Sequence, residues 1–171
     1  ALTAAENGRS VLLLERQSRV GRKLLATGNG RCNLTNYNTS PARYHGEDGG
    51  FCAYALRAFD VGSTLQHFAS LGLLTVNEDS GRVYPMSNMA GSVLDVLRYG
   101  LEHPRIEVRT GQVVTAVKRT AAGFTVRTET DAFTAGKLIL AAGGCAGSKV
   151  GGVMDGYRLA KALGHHRTAL Y

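Results

Sequence analysis

Cysteine is scarce in this chain, and the few present do not pair. Cys32, Cys52 and Cys145 are an odd, scattered set among 171 residues, with no Cys-x-x-Cys. That pattern excludes the usual signatures of a zinc site and of a dithiol redox pair, so no metal is expected. It predicts a reduced, cytoplasmic protein. Long apolar runs are missing too: none approaches the ~20 residues needed to cross a bilayer, and no membrane partner is expected. Ala1 to Asn7 has neither the basic start nor the apolar stretch of a secretory signal. Blocks of like charge are also absent. The net charge is +7, but the basic residues are spread along the chain without aromatic interleaving, which argues against a nucleic-acid partner. There is no internal repeat or low-complexity tract. What remains, 44% hydrophobic residues with 22 glycines, describes a globular, glycine-punctuated α/β domain of ordinary size.

The order of elements can be read from periodicity. Ala1 to Asn7 is rich in helix formers and precedes Gly8, the pattern of a helix end. Val11-Leu12-Leu13-Leu14 is a continuous apolar run, as expected of a parallel strand buried on both faces. Together they read as half of a βαβ unit whose first strand and phosphate turn lie upstream of Ala1. Residues 37–50, with Pro41, Gly46, Gly49 and Gly50, predict a loop. Phe51 to Leu71 has helical spacing broken near Asp60-Val61-Gly62, where Asp60 can cap the second segment. Leu73 to Val76 and Arg82 to Tyr84 predict a hairpin around Glu78-Asp79-Ser80-Gly81. Ser87 or Asn88 would cap a helix through Leu101, and Ile106-Glu107-Val108 reads as a second buried strand. Val113 to Val117, Phe124 to Thr128 and Ala132 to Thr134 form a three-stranded meander. Lys137 to Leu140 predicts another buried strand, running into Ala141-Ala142-Gly143-Gly144. Asp155 would cap a closing helix, ended by Gly164.

Thr27-Gly28-Asn29-Gly30-Arg31-Cys32-Asn33-Leu34-Thr35-Asn36 cannot build a core. Its glycines, amides, hydroxyls and cation can bring backbone N–H groups close to an anionic or carbonyl-rich ligand. It follows a strand ending in Glu15. A carboxylate there is acceptor-only and can take two ribose hydroxyls at once. Gly143 and Gly144, at the end of another strand, would let the backbone pass close to the same ligand. The local cluster Arg16 to Lys23 suits an anionic pyrophosphate. These features together suggest a bound dinucleotide, although an acid after a strand can also be a plain surface charge and a glycine pair a plain turn.

The run Gly21 to Asn36 resembles the signature loop of a bacterial family of FAD-dependent oxidoreductases, which includes aminoacetone oxidases and bile-acid reductase flavoproteins. Gly81-Arg82-Val83-Tyr84-Pro85, the Ala141 to Gly144 turn and Asp155 to His165 match it in order. The resemblance implies an FAD-binding, Rossmann-like (glutathione-reductase-type) α/β fold: a parallel sheet with a three-stranded meander, here lacking its first strand. Residues 1–171 would then be part of an FAD-binding domain, with the substrate domain beyond Tyr171. By position, Glu15 would hold the ribose, and Arg22 and Lys23 would lie near the pyrophosphate. Gly28, Asn29, Gly30, Arg31 and Asn33 would line the flavin or its ribityl chain. Val114 would present its backbone to adenine, and Gly143 and Gly144 would face the cofactor again. Met154 stands where many members have glycine.

The implied activity is that of an enzyme with non-covalent FAD acting on a small amine or an enone-type molecule. A nicotinamide, NAD(P)H, would be the electron donor in a reductase, and oxygen the acceptor in an oxidase. The rival is a non-catalytic nucleotide- or nucleic-acid-binding module, for which the basic charge is the sole support. Arg31 could stabilise reduced flavin, or position a phosphate or a protein carboxylate. Cys32 reads as a small buried side chain rather than a reactive thiol, and His165-His166 as a polar helix end.

Overall fold

The computed structural model describes residues 1–46, 48 and 50–169; Glu47 and Gly49 of the expected loop, and Tyr171, lie outside them. In chain order the elements are α1 (Leu2–Glu6), β1 (Val11–Leu14), β2 (Thr35–Asn36), α2 (Ala53–Ala58), α3 (Val61–Ser70), β3 (Thr75–Asn77), β4 (Arg82–Pro85), α4 (Ala90–Gly100), β5 (Ile106–Arg109), β6 (Val114–Thr120), β7 (Gly123–Thr128), β8 (Ala132–Ala135) and α5 (Asp155–Ala162). They fall into two compact units, one built from Thr3–Arg22 with the chain from Pro104 onward, the other from Lys23–His103. No helix among the described residues is long and apolar enough to cross a membrane.

In the first unit, β1 and β5 pair in parallel, with Val11 opposite Ile106 and Leu14 opposite Arg109. The β-branched and leucine run favours this pairing, since a parallel ladder needs a distant partner and gains from apolar packing. Burial on both faces does not follow: Leu12 is 37% exposed, because no described element covers its side. The meander forms as expected, β6 antiparallel to β7 and β7 to β8, with an irregularity between Val114 and Ala116. Val117, Val126 and Leu159 make the core between meander and α5, joined by Leu14, Val114, Leu138 and Leu163.

The strand expected at Lys137 to Leu140 is absent. Ile139 is 78% exposed, and no described strand meets the segment's backbone groups. An apolar run becomes a strand only when a neighbour satisfies its N–H and C=O groups. Asp155 also departs from expectation. Met154 occupies the cap position without a side-chain cap, and the Asp155 carboxylate pairs instead with Arg16 at 3.0 Å and Arg158 at 3.7 Å. Gly164 ends the helix region with φ +90, as expected.

In the second unit, β4 lies between β2 and β3, antiparallel to both. Asp60 caps α3 by accepting from the Ser63 N–H at 2.8 Å. That bond, the Ser63 side chain and the local backbone hold its carboxyl below the usual carboxylate range. The hairpin begins at Thr75 rather than Leu73, because Leu73 turns inward to join Cys32, Ala90 and Val93 in the core. Leu24, Leu34, Phe68, Val96 and Leu97 pack around these four. Neither Ser87 nor Asn88 caps α4; Met89 holds the cap position. Asn88 has φ +59, and its side-chain amide oxygen accepts from Arg31 Nε. The Ser87 hydroxyl meets the Met89 N–H at 3.3 Å and Ser92 at 2.8 Å.

Candidate functional site

At the carboxyl end of β1, in the first unit, Glu15 closes the ladder: its N–H donates to the Arg109 carbonyl at 2.9 Å, and its carbonyl accepts from the Gln112 N–H at 2.9 Å. Its Oε1 accepts from the Gln17 N–H at 2.8 Å. This bond fixes the carboxylate at the strand end, and Oε2 has no partner among the described residues. Arg22, after the turn at Gly21 (φ +81), is held by Gln17 Oε1 at 3.3 Å and the Lys149 carbonyl at 3.4 Å. Its guanidinium is exposed, and both contacts are long, so it retains donors for an anion. Arg158 reaches from α5 to the meander, donating to the Thr115 carbonyl at 2.7 Å and to the Val114 carbonyl at 3.4 Å. Val114 itself stands at the start of β6, two residues after Gln112. The side-chain oxygen of Gln112 is buried with no hydrogen-bond partner among the described residues. Gly143 takes φ +72. A Cβ on Gly144 would lie 2.8 Å from the Tyr157 hydroxyl, the tip of a side chain carried by α5.

The glycine-rich loop belongs to the second unit, as does Lys23, which precedes its first turn. Gly28, Asn29 and Gly30 have φ of +54, +56 and +84, followed by Cys32 at +60. Glycine and asparagine tolerate this left-handed path, whereas most side chains clash with the backbone. The loop folds onto itself. The Arg31 N–H donates to the Gly28 carbonyl at 3.2 Å and the Cys32 N–H to that of Thr27 at 3.0 Å. A Cβ on Gly28 would stand 2.7 Å from the Asn33 nitrogen. Two N–H groups of the expected cradle are therefore spent inside the loop. Arg31 lies over the Tyr84 ring at 3.8 Å, pairs with Glu78 and donates to Asn88. Of the partners considered for Arg31, a protein carboxylate is present in the form of Glu78. Asn33, with its amide nitrogen toward the backbone, donates to the carbonyls of Thr35 at 2.8 Å and Val83 at 3.2 Å. Cys32 is buried in the core, as a small apolar side chain would be.

Beside the loop, within the second unit, lies a cleft of about 360 Å³ between the Asn33–Asn36 segment and the start of α3. Thr35, Asn36, Thr39, Tyr44 and Thr64 supply its polar lining, and Leu34, Leu56 and Phe59 the apolar part. Sequence reasoning singled out only Asn33 and the neighbouring loop here. Thr39, Tyr44 and Thr64 carry no motif of their own and become neighbours only through folding. The same is true of Glu78, Tyr84 and Asn88 around Arg31, and of Gln112 and Arg158 beside Val114. Among the described residues, no group of three or more His, Cys, Asp or Glu is arranged to hold a metal.

The expected site residues thus divide between the units: Glu15, Arg22, Val114, Gly143 and Gly144 in the first, and Lys23, Gly28, Asn29, Gly30, Arg31 and Asn33 in the second. The chain is 42% identical over 165 residues to the 3-dehydro-bile acid delta(4,6)-reductase of Clostridium scindens, covering 96% of this chain and 40% of that protein. It is 29% identical over 163 residues to the ribosomal RNA dihydrouridine synthase of Escherichia coli, covering 94% of this chain and 40% of the relative. The Haemophilus influenzae protein of the same name is 24% identical over 168 residues, covering 96% of this chain and 42% of that one. The chain therefore spans about two fifths of the length of these curated relatives. A parallel strand pair ending in an acid, a following meander and the left-handed glycine loop agree with the match of residues 1–170 to the HI0933-like protein Rossmann domain, and the chain belongs to that family.

Proposed function

We propose that this chain is the FAD-binding part of a flavin-dependent reductase that saturates a carbon–carbon double bond conjugated to a carbonyl. The observation that carries the cofactor half is the end of β1, where Gln17 orients the Glu15 carboxylate while its Oε2 keeps its acceptor capacity. The residues fit the group. The buried Gln112 oxygen lacks a donor two residues before Val114, and a nucleotide's hydroxyl or amino group would satisfy it. Glu15 would accept from the ribose hydroxyls, and Arg22 would meet the pyrophosphate. The Gly28–Asn33 loop would set the shape of the wall nearest the flavin, with Arg31 acting through its own protein partners.

The reaction half rests on chemistry shared by the relatives' names. A delta(4,6)-reductase and a dihydrouridine synthase both add two hydrogens across a double bond next to a carbonyl. A flavin held by these residues would supply the hydride equivalent for such a step, and a nicotinamide would be its electron donor. An amine oxidase, the other expectation from the sequence, has no counterpart in these names. A nucleic-acid substrate is the second reading, favoured by two relatives named for RNA.

The test is a visible spectrum of the full-length protein before and after acid precipitation, followed by anaerobic NAD(P)H oxidation with and without an enone. A yellow chromophore released into the supernatant, with enone-dependent nicotinamide oxidation, supports the reading. A colourless protein that takes up no FAD refutes it. A flavoprotein that consumes oxygen with an amine and ignores enones refutes the reductase half alone.

A further inference from the structure

Strand β6 starts with an irregularity. Val114 stands opposite Thr128 and Ala116 opposite Arg127, so Thr115 is an extra residue with no counterpart on β7. Arg158 reaches this spot from α5. Its Nη1 donates to the Thr115 carbonyl at 2.7 Å and its Nη2 to the Val114 carbonyl at 3.4 Å. We infer that Arg158 is a positioning residue for the adenosine half of a bound dinucleotide. It pins the irregularity in β6 and so fixes Val114 and Gln112 relative to Glu15, an assignment that rests on the cofactor half of the proposed function.

Three observations lead there. The first is the bulge itself. An extra residue in a strand leaves backbone groups that the neighbouring ladder does not meet. The Thr115 hydroxyl reaches the carbonyls of Arg127 and Thr128 only at 3.3 and 3.4 Å. The bond from Arg158 is the short one here, and a planar guanidinium fork can meet two successive carbonyls where an ammonium cannot. The second is a closed circuit through Glu15. The Gln112 N–H donates to the Glu15 carbonyl at 2.9 Å, and Val114 follows two residues later. From Arg158 the circuit returns through Asp155, whose Oδ1 lies 3.7 Å from Arg158 and whose Oδ2 accepts at 3.0 Å from Arg16, the residue after Glu15. Both ion pairs are partly exposed and one is long, so each holds weakly by itself. The bond to the Thr115 carbonyl is the link that decides. The third is the buried Gln112 side-chain oxygen, which lacks a donor among the described residues. Its desolvation is already in place, so a ligand donor gains fully only if that oxygen stands at the right distance. A shift of β6 therefore reads out as lost affinity for the part of the ligand that meets it.

The test titrates the ligand-free, full-length protein with FAD, ADP and FMN by calorimetry, in the wild type, R158M and R158K. FMN carries the flavin ring and a phosphate but no adenosine, so it reports any general loosening and any direct contact of Arg158 with phosphate. In R158M the Kd for FAD and for ADP should each rise about tenfold, with that for FMN unchanged. R158K should recover only in part, to about threefold, because it keeps the charge without the fork. Should R158M fail to fold, R158K is expected to show the same pattern at that smaller size. Unchanged affinity for FAD and ADP in both variants overturns the positioning role. An equal loss for FMN also overturns it, marking a structural or phosphate-binding arginine, as does full recovery in R158K, marking charge alone. A wild type that binds ADP in an Arg158-dependent way but takes up no flavin would refute the proposed function while leaving Arg158 its role. A wild type that binds neither FAD nor ADP refutes both.

Discussion

The Gly28–Cys32 turn and the carboxyl end of β1 look equally ready for a ligand in sequence, yet they spend their polar groups differently. The turn is inward-looking. Its Arg31 and Cys32 N–H groups bond its own carbonyls, and the Arg31 side chain is taken by Tyr84, Glu78 and Asn88. The β1 end is outward-looking. One Glu15 oxygen is used to hold the side chain in place, and the other is left over. Glycines and charges in a loop are thus not in themselves a binding site. Where their hydrogen bonds go decides whether they shape a wall or touch a ligand.

The sharpest way to break this contrast is Gly28→Ala. The added Cβ would stand 2.7 Å from the Asn33 nitrogen at a φ of +54, and such strain costs about 1–3 kcal/mol. Thermal denaturation should show a clearly lowered midpoint, whether or not FAD is present. A midpoint equal to wild type would mean that the loop is not self-packed as described.

Next in size is Arg31→Leu, which keeps bulk but leaves Glu78 and Asn88 without their donor. A loss of about 1–2 kcal/mol is expected after allowing for partial exposure. Denaturant titration checks this. Unaltered stability combined with weakened flavin binding would instead place Arg31 on the ligand.

Glu15→Gln should do the reverse. It retains the shape and one acceptor but loses the charge, so FAD affinity should fall about tenfold while the melting midpoint barely moves. FAD titration by fluorescence quenching would reveal it, and equal affinity in the variant would remove Glu15 from the ribose.

The smallest effect concerns Asp60. Its carboxyl is held below the usual range, chiefly by the Ser63 N–H, so the folded form binds its proton less readily than the unfolded form. Its contribution is therefore fully present above about pH 4 and fades as pH falls through the lowered value. Asp60→Asn should flatten that acid limb of a stability–pH curve. An unchanged limb would show that the cap is not coupled to protonation.

Much of the second unit was legible because its signals are local. The Asp60 cap, the break before α3 and the turn between β3 and β4 depend on residues only a few positions apart. The meander was legible for the same reason, through alternation and short turns. The misreadings are all about partners. Lys137 to Leu140 has a strand's composition, but no described neighbour supplies a ladder. Leu12 has a core residue's side chain, but no described cover. Asp155 and Asn88 are good capping residues whose oxygens were claimed by Arg16 and Arg31, far away in sequence.

The sequence by itself determined the class of fold, the positions of Glu15 and the glycine loop, and the likeness to a flavin-binding family. Dihedral preference, periodicity and motif spacing are written into adjacent residues, and no distant contact is needed to read them. Only the tertiary structure decided that Arg31 meets Glu78, Asn88 and the Tyr84 ring, that Gln112 keeps a buried acceptor beside Val114, and that Thr39 and Tyr44 share a cleft with Asn36. Those outcomes depend on which groups from distant segments reach one another first within hydrogen-bond distance. A buried or pre-empted polar atom is a property of the folded arrangement and of no single stretch of chain.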